Sequence, residues 1–413
     1  MRTERLKEAC QRYGTPLYVY DTDWACKAAE ECRSLLGPDI GLCFAMKANP
    51  FLTGSLAEAA DRIEVCSMGE YRICRELSVP PEKLLISGVL KEEADLQEIL
   101  HTYGGRCAYT AESEQQFQFL WEWSRDNQEE VSVYLRLTSG NQFGMDPETA
   151  SDLIRKTKLA PFLSIAGIHY FSGTQKSGEK IRQELRMLDQ QLLCLEEETR
   201  TRIKELEYGP GLAAAYFEGQ DDTRTEDLKA AAESVRAMRW KGKVTFEMGR
   251  GLTSQCGYYL TTVKDVKENR GKRYCIVDGG IHQIHYDGQI RGMYCPSFRL
   301  LGEAAAGKEE VWTVCGSLCT SNDVLIQKAR VRELKPGDVF VFERTGAYAA
   351  MEGMALFLSH ELPGAVLYSE RDGWKQARKR QPVYPWNMEK IQSVEKIQSG
   401  KENTNGKITG DFK

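Results

Sequence analysis

Three side chains in this sequence could share one reaction, and two of them stand where an apolar strand runs out. Lys47 sits in "CFAMKANP". Burying an ammonium is unfavourable. A lysine in this setting is therefore either one that reaches out to water, or an amine whose hold on its proton is weakened by burial and which attacks an aldehyde. Glu247 sits in "VTFEMGRGL". It either pairs with a neighbouring arginine or keeps a proton on a heterocyclic ring nitrogen, which makes the ring a stronger electron sink for a carbanion. Cys319 sits in "VCGSLCTSNDVL" with Thr320 and Asp323. A lone cysteine is most often buried and inert, but an exposed one beside a carbanion can donate a proton. Two glycine turns follow strand-like segments: Gly209 and Gly211 in "EYGPGLAAAY", Gly249 and Gly251 in "EMGRG". Either turn could offer backbone N–H groups to a phosphate, and either could be only a turn.

The elements that must position these groups read as follows. Short apolar strands alternate with amphipathic helices through roughly the first 250 residues. "GLCFAMKA" is followed by "TGSLAEAADR", "RIEVCS" by "MGEYRICREL", "KLLIS" by "KEEADLQEILHTY" and "RCAYTA" by "SEQQFQFLWEWSR". "VSVYLRL", "SIAGIHYF", "IKELEYG" and "KVTFEMG" complete eight strand-like segments. This pattern predicts an α/β fold with a parallel (β/α)₈ barrel over 25–255, whose catalytic groups belong at the C-terminal strand ends. After Gly251 the chain is mostly strands. An antiparallel β domain is predicted over 256–386, joined by 1–24 because "TPLYVYD" alternates like a strand. The polar tail, 387–413, reads as a short helix followed by disorder.

Composition narrows the partners. A chain of 413 residues suits two domains. The net charge of -5 gives no reason to expect nucleic acid or an anionic membrane. No apolar run approaches the roughly 18 residues of a membrane span, and the charged N-terminus lacks a signal core. A cytoplasmic location is expected. The 13 cysteines are odd in number and form no C-x-x-C pair, so reduced thiols are expected. His282 and His285 have no ligand cluster beside them, and no metal is expected.

Taken in order, these pieces resemble the alanine-racemase-like class of pyridoxal 5'-phosphate enzymes, and more closely the diaminopimelate, ornithine and arginine decarboxylase group. "FAMKANP" resembles the Schiff-base lysine motif, "EVCSMGEY" the strand and helix after it with Ser67, Gly69 and Glu70 in place, and "NQFGMD" the turn that follows. "GIHYFSGTQ" resembles the histidine strand, "EMGRG" the Glu-Pro-Gly-Arg motif, and "VDGG", "LCTSND" and "TGAY" the β-domain motifs. The resemblance implies that Lys47 bears the cofactor and Glu247 holds the pyridine nitrogen. Gly209, Gly211, Gly249, Arg250 and Tyr348 would hold the phosphate, with Thr174 helping. Cys319 would protonate the α-carbon after carbon dioxide leaves. The group's members share active sites across a homodimer, with Cys319 and Asp323 reaching the partner's site.

The departures from the family pattern matter. The family's Gly-Gly-Gly turn is Gly209-Pro210-Gly211 here, and proline has no N–H to give a phosphate. Met248 replaces the proline of the glutamate motif. Phe171 stands where most members stack a histidine on the ring, with His169 two residues earlier on the same strand face. Either could approach the ring, and Phe171 is favoured. Thr320 replaces the acidic residue that reads a distal amine, and a hydroxyl cannot pair with an ammonium. "LCTSND" and "LFLSHELPGAVL" resemble instead a branch serving antibiotic and siderophore pathways. That branch includes a butirosin-pathway decarboxylase acting on a glutamyl-carrier protein. The expected activity is α-decarboxylation of an amino acid, free or presented by a carrier protein. Alternatives are diaminopimelate decarboxylation, amino-acid racemisation, against which Glu247 argues, and a non-catalytic cofactor-binding relative.

Overall fold

A computed structural model describes residues 1–302 and 309–389. Most of the predicted tail lies outside the described residues. Helix α1 (Thr3–Tyr13), which the sequence reading did not anticipate, leads into strand β1 (Leu17–Asp21). Helix α2 (Thr22–Leu36) then crosses to the barrel. Asp21 caps it by accepting from the Trp24 N–H, and Gly37 ends it at φ +73, a conformation open to glycine.

The barrel follows as β2 (Ile40–Ala45), α3 (Thr53–Leu56), β3 (Arg62–Val65), α4 (Met68–Glu76), β4 (Leu84–Ile86) and α5 (Glu93–Tyr103). It continues with β5 (Ala108–Ala111), α6 (Glu114–Asn127), β6 (Val131–Arg136), α7 (Pro147–Thr157) and β7 (Leu163–Phe171). Helix α8 (Gly178–Thr199), β8 (Glu205–Gly209), α9 (Arg224–Arg236) and β9 (Lys243–Met248) complete it. The eight strands β2 to β9 close in sequence order, all neighbours parallel, with β9 pairing back to β2. Serine caps start α4, α6 and α8, where Ser67, Ser113 and Ser177 accept from the N–H three residues on. Helix α8 buries Ile181, Leu185, Leu188, Leu192 and Leu195. This is one apolar stripe at helical spacing, worth roughly 2 kcal/mol per side chain.

A short helix α10 (Arg250–Thr253) leads to the second domain: β10 (Gly257–Asn269), β11 (Lys272–Val277), β12 (Phe298–Leu301), β13 (Glu310–Cys315) and β14 (Val324–Val331). It ends with β15 (Val339–Glu343), β16 (Gly364–Ser369) and β17 (Gly373–Arg378). The sheet order is β14-β13-β11-β10-β1-β16-β17, with β15 joining β10 to β12. The N-terminal strand is thus built into the C-terminal domain. The sheet is mixed rather than purely antiparallel: β1 runs parallel to β16 and β11 to β13. Neither pair is joined by a hairpin, so no tight turn dictates the antiparallel sense. Among the described residues no helix is long and apolar enough to cross a membrane.

Candidate active site

The barrel's register places the chemistry. In β2, Cys43 lies beside Glu247 of β9, and Ala45 beside Glu64 of β3. Side chains alternate along a strand, so Cys43, Ala45 and then Lys47 follow one inward line. Lys47 itself is not in the strand, as "GLCFAMKA" suggested, but in the one-turn helix Met46–Ala48 beyond it. Two hydrogen bonds dock the second domain on this turn: the Tyr348 N–H donates to the Ala48 carbonyl (2.7 Å), and Asn49 Nδ2 donates to the Gly346 carbonyl (2.8 Å).

The Lys47 amine lies between two carboxylates. Its Nζ is 2.5 Å from Glu64 Oε2 and 3.1 Å from Glu247 Oε1. His169 Nε2 meets the other Glu247 oxygen at 2.9 Å, while its Nδ1 is buried without a partner. The Cys66 thiol is 3.2 Å from Glu64 Oε1 and 3.8 Å from Lys47 Nζ.

This arrangement corrects one expectation. Burial pulls the Lys47 amine's proton affinity down, but Glu247 and Glu64 together outweigh it and hold the amine well above the ordinary lysine range. The side chain is also 34% exposed. Lys47 is therefore a paired ammonium rather than an amine neutralised by burial. The carboxylates divide the roles. Burial raises Glu64, and the neighbouring Glu247 raises it further. Burial also opposes ionisation of Glu247, but Lys47 and His169 win and keep it ionised, well below the usual carboxylate range. Glu64, His169 and Glu247 are close enough to ligate a metal ion, yet the Lys47 ammonium already supplies the positive charge between the two carboxylates.

Around this centre lies an anion cradle. Phe171, Thr174, Gly211, Glu247, Gly249, Arg250 and Tyr348 line one pocket with Lys47. The Phe171 ring centroid is 5.9 Å from Lys47 Nζ, whereas His169 lies behind Glu247. Arg250 starts α10, donates to Tyr216 Oη (2.5 Å) and Thr174 Oγ1 (3.3 Å), and stacks 4.6 Å from the Tyr348 ring. Tyr348 holds φ +63, an uncommon conformation for a non-glycine residue, and burial pushes its phenol up to about 12. The backbone approaches closely at both glycine turns. A Cβ on Gly211 would fall 2.1 Å from the Gly173 carbonyl oxygen, and one on Gly249 2.9 Å from Ala48 Cβ.

The residues at hand fit pyridoxal 5'-phosphate. They provide an amine for its aldehyde, an ionised carboxylate for its ring nitrogen, an aromatic face, and an arginine between two glycine turns for its phosphate. Gly209 ends β8 next to this wall but does not line the pocket itself.

Three expected residues lie elsewhere. Cys319 is exposed, and neither it nor Thr320 lines the pocket. Asp323 is buried, and its two oxygens accept from the Ile281 and Leu318 N–H groups at 2.9 and 2.7 Å. It braces the loop that presents Cys319. In the other direction, the sequence reading missed Glu64, Cys66 and Tyr216. Glu64 gave the same signal as Glu247, a carboxylate inside a short apolar strand. Its neighbours Ser67, Gly69 and Glu70 drew attention first.

The family model for the pyridoxal-dependent decarboxylase, C-terminal sheet domain, matches residues 17–346. Diaminopimelate decarboxylase of Aquifex aeolicus is 26% identical, covering 83% of this chain and 84% of its own. L-glutamyl-[BtrI acyl-carrier protein] decarboxylase of Niallia circulans is also 26% identical, covering 86% and 89%. The solved structure of AQ1208 from Aquifex aeolicus superposes with a TM-score of 0.78 at 26% identity over 92% of this chain and 94% of that one. Diaminopimelate decarboxylase from M. jannaschii superposes with a TM-score of 0.82 at 21% identity over 94% of each, a likeness of fold. The chain therefore belongs to the pyridoxal-dependent decarboxylase family, as a pyridoxal 5'-phosphate-dependent amino-acid decarboxylase.

Proposed function

We propose that this enzyme removes the α-carboxylate of an amino acid whose distal end carries no free ammonium, either a free amino acid or an acyl group on a carrier protein, within a biosynthetic sequence. The observation that carries the substrate part is Thr320, a neutral residue beside Cys319 on an exposed loop. A hydroxyl offers no charge to pair with the distal ammonium of diaminopimelate or ornithine. Two relatives support the reading by what they act on: the glutamyl-carrier-protein decarboxylase named above, and 2-[(L-alanin-3-ylcarbamoyl)methyl]-2-hydroxybutanedioate decarboxylase of Staphylococcus aureus, 23% identical over 86% of this chain.

In this reading Lys47 bears the cofactor. When bound, the cofactor supplies the electron sink for the carbanion that decarboxylation leaves. The chain's own groups do the rest. Glu64 Oε2, at hydrogen-bond distance, holds Lys47 Nζ in position and keeps it protonated until it engages the cofactor. His169 Nε2 fixes Glu247, and the Glu247 carboxylate holds a proton on the ring nitrogen. Phe171 packs against the ring and helps keep water away. Arg250, Thr174, Tyr348 and the turns at Gly209–Gly211 and Gly249 orient the phosphate. Cys319 Sγ delivers a proton to the α-carbon.

Because Cys319 lies outside the pocket of its own chain, the reading includes a homodimer in which Cys319 and Thr320 complete the partner's site. An exposed apolar stretch supports it. Met354, Leu356, Phe357 and Leu358 follow Tyr348, and Trp386 is 61% exposed beside them. Asn387 Nδ2 ties that last segment to the stretch through the Leu356 carbonyl (2.7 Å). Exposed apolar residues gathered in one region mark an interaction surface.

The test is a mass-spectrometric screen for loss of carbon dioxide from diaminopimelate, ornithine, arginine, glutamate and a glutamyl-carrier protein. Turnover of a substrate lacking a distal ammonium, in preference to the diamine precursors, is expected. Preferential turnover of diaminopimelate would overturn the substrate assignment. Exchange of the α-proton without carbon dioxide would move the enzyme to racemisation.

A further inference from the structure

The Gly209-Pro210-Gly211 turn has a support that neither the sequence motifs nor the reaction scheme uses. Lys176 lies in the loop between β7 and α8, with its side chain 2% exposed. Its ammonium donates to Glu184 Oε2 (2.6 Å), to Ser172 Oγ (3.0 Å) and to the Gly209 carbonyl (3.4 Å). Its own N–H donates to the Gly211 carbonyl at 2.9 Å. One residue thus grips both glycines that flank Pro210, one through its backbone and the other through its side chain. The contact is close: a Cβ on Gly211 would lie 2.9 Å from Lys176 Cε.

Glu184 completes the anchor. It stands on α8 and also accepts from the Ser172 and Tyr208 hydroxyls, so the turn is tied through Lys176 to the packed outer layer of the barrel. A buried ammonium held by three acceptors is costly to assemble and rigid once formed. It is an odd choice for a loop whose only task is to connect two elements. Beside it stands a proline that cannot offer an N–H, in a turn where Gly211 adopts φ +59.

We propose that Lys176 is a positioning residue of the phosphate subsite, holding the Gly209-Pro210-Gly211 turn in its binding form and so offsetting the N–H donor that Pro210 lacks. This rests on the reading that the pocket holds the phosphate of pyridoxal 5'-phosphate. Lys176 does not line that pocket, so it acts through the turn and not by touching the ligand.

The experiment measures equilibrium binding to the full-length protein stripped of cofactor, with two ligands, pyridoxal 5'-phosphate and pyridoxal. Pyridoxal has the same aldehyde and ring but no phosphate. In Lys176→Met, affinity for pyridoxal 5'-phosphate should fall about tenfold or more, the scale of losing hydrogen bonds from a charged group, while affinity for pyridoxal stays within about twofold. Lys176→Met with Glu184→Gln removes the carboxylate that the single change strands, and serves if the single variant does not fold. Adding Pro210→Gly, which restores an N–H, should recover part of the lost affinity. Equal weakening of both ligands, or no change in either, overturns the role of Lys176. If the unmodified protein fails to prefer pyridoxal 5'-phosphate over pyridoxal, the phosphate reading itself fails. If it does prefer it and the folded variants keep that preference, only the inference about Lys176 fails.

Discussion

Replacing Glu64 by glutamine tests how the Lys47 amine is readied. The carboxylate sits 2.5 Å from Lys47 Nζ and is 2% exposed, whereas Glu247 is farther away at 3.1 Å. A unit charge at contact distance and an effective dielectric near 20 is worth about 4 kcal/mol. Lys47 is a third exposed and keeps Glu247, so solvent screening reduces the net effect to about 2 kcal/mol. Losing that much stabilisation of the ammonium raises the share of neutral amine at a fixed pH by roughly thirtyfold. The neutral amine is the form that attacks an aldehyde, so the rate of cofactor attachment plotted against pH should shift towards acid. Stripped protein is mixed with excess pyridoxal 5'-phosphate from pH 6 to 10, and the growth of bound-cofactor absorbance is followed. Glutamine keeps the shape of the site and relieves repulsion with Glu247, so the melting temperature should change little. A profile that superimposes on that of the unmodified enzyme, or shifts towards alkali, would refute this account of Lys47.

Other consequences are as direct. Thr320→Glu should leave cofactor absorbance unchanged and raise turnover of ornithine or diaminopimelate relative to substrates without a distal ammonium; loss of the absorbance band would contradict the placement of Thr320. Lys47→Ala and Cys319→Ala should each be inactive, and mixing them under conditions that exchange subunits should restore activity neither has alone; no recovery after proven exchange would contradict a shared site. In the β domain, burial opposes ionisation of Asp338, but Arg332 and the Lys335 N–H hold its carboxyl below the ordinary range. Its stabilising effect is therefore present above the unfolded-state aspartate range and is lost as pH falls through the folded value. Asp338→Asn should cost about 1 kcal/mol near neutral pH and progressively less in acid, measured by urea unfolding.

The sequence makes the barrel legible because each of its strands is a short apolar run separated from the next by a helix of different period, and such a pattern has few solutions. Lys47, Glu247 and the glycine turns were legible as types at strand ends, Phe171 only through the family resemblance, and one pocket gathers Lys47, Glu247, Phe171, Gly211 and Gly249. What escaped depended on relations between strands. Glu64 matters because Ala45 pairs with it, and no single segment reveals that register. The charge on Lys47 reflects two carboxylates, Glu247 and Glu64, which strengthen its hold on the proton while burial weakens it. Asp323 follows the cysteine in sequence, but that its oxygens accept from the Ile281 and Leu318 N–H groups and brace the loop is visible only in the fold. Helix α1 is hard to read from sequence because charged residues dominate it, though Leu6 and Ala9 are fully buried against the β domain. The parallel pairings of β1 with β16 and β11 with β13 join strands distant in sequence, where local alternation carries no direction.

That Lys47 carries the cofactor can be read from a single peptide map. The enzyme purified with its cofactor, reduced with borohydride, digested and mapped by mass spectrometry, tests it most directly. The reduced-cofactor mass should appear on the peptide containing Lys47 and on no other. Burial pushes the amine of Lys91 down to about 8, so Lys91 is a competing site to check. Label on Lys91, on Lys176, or on no lysine would rule out Lys47 as the cofactor's attachment point.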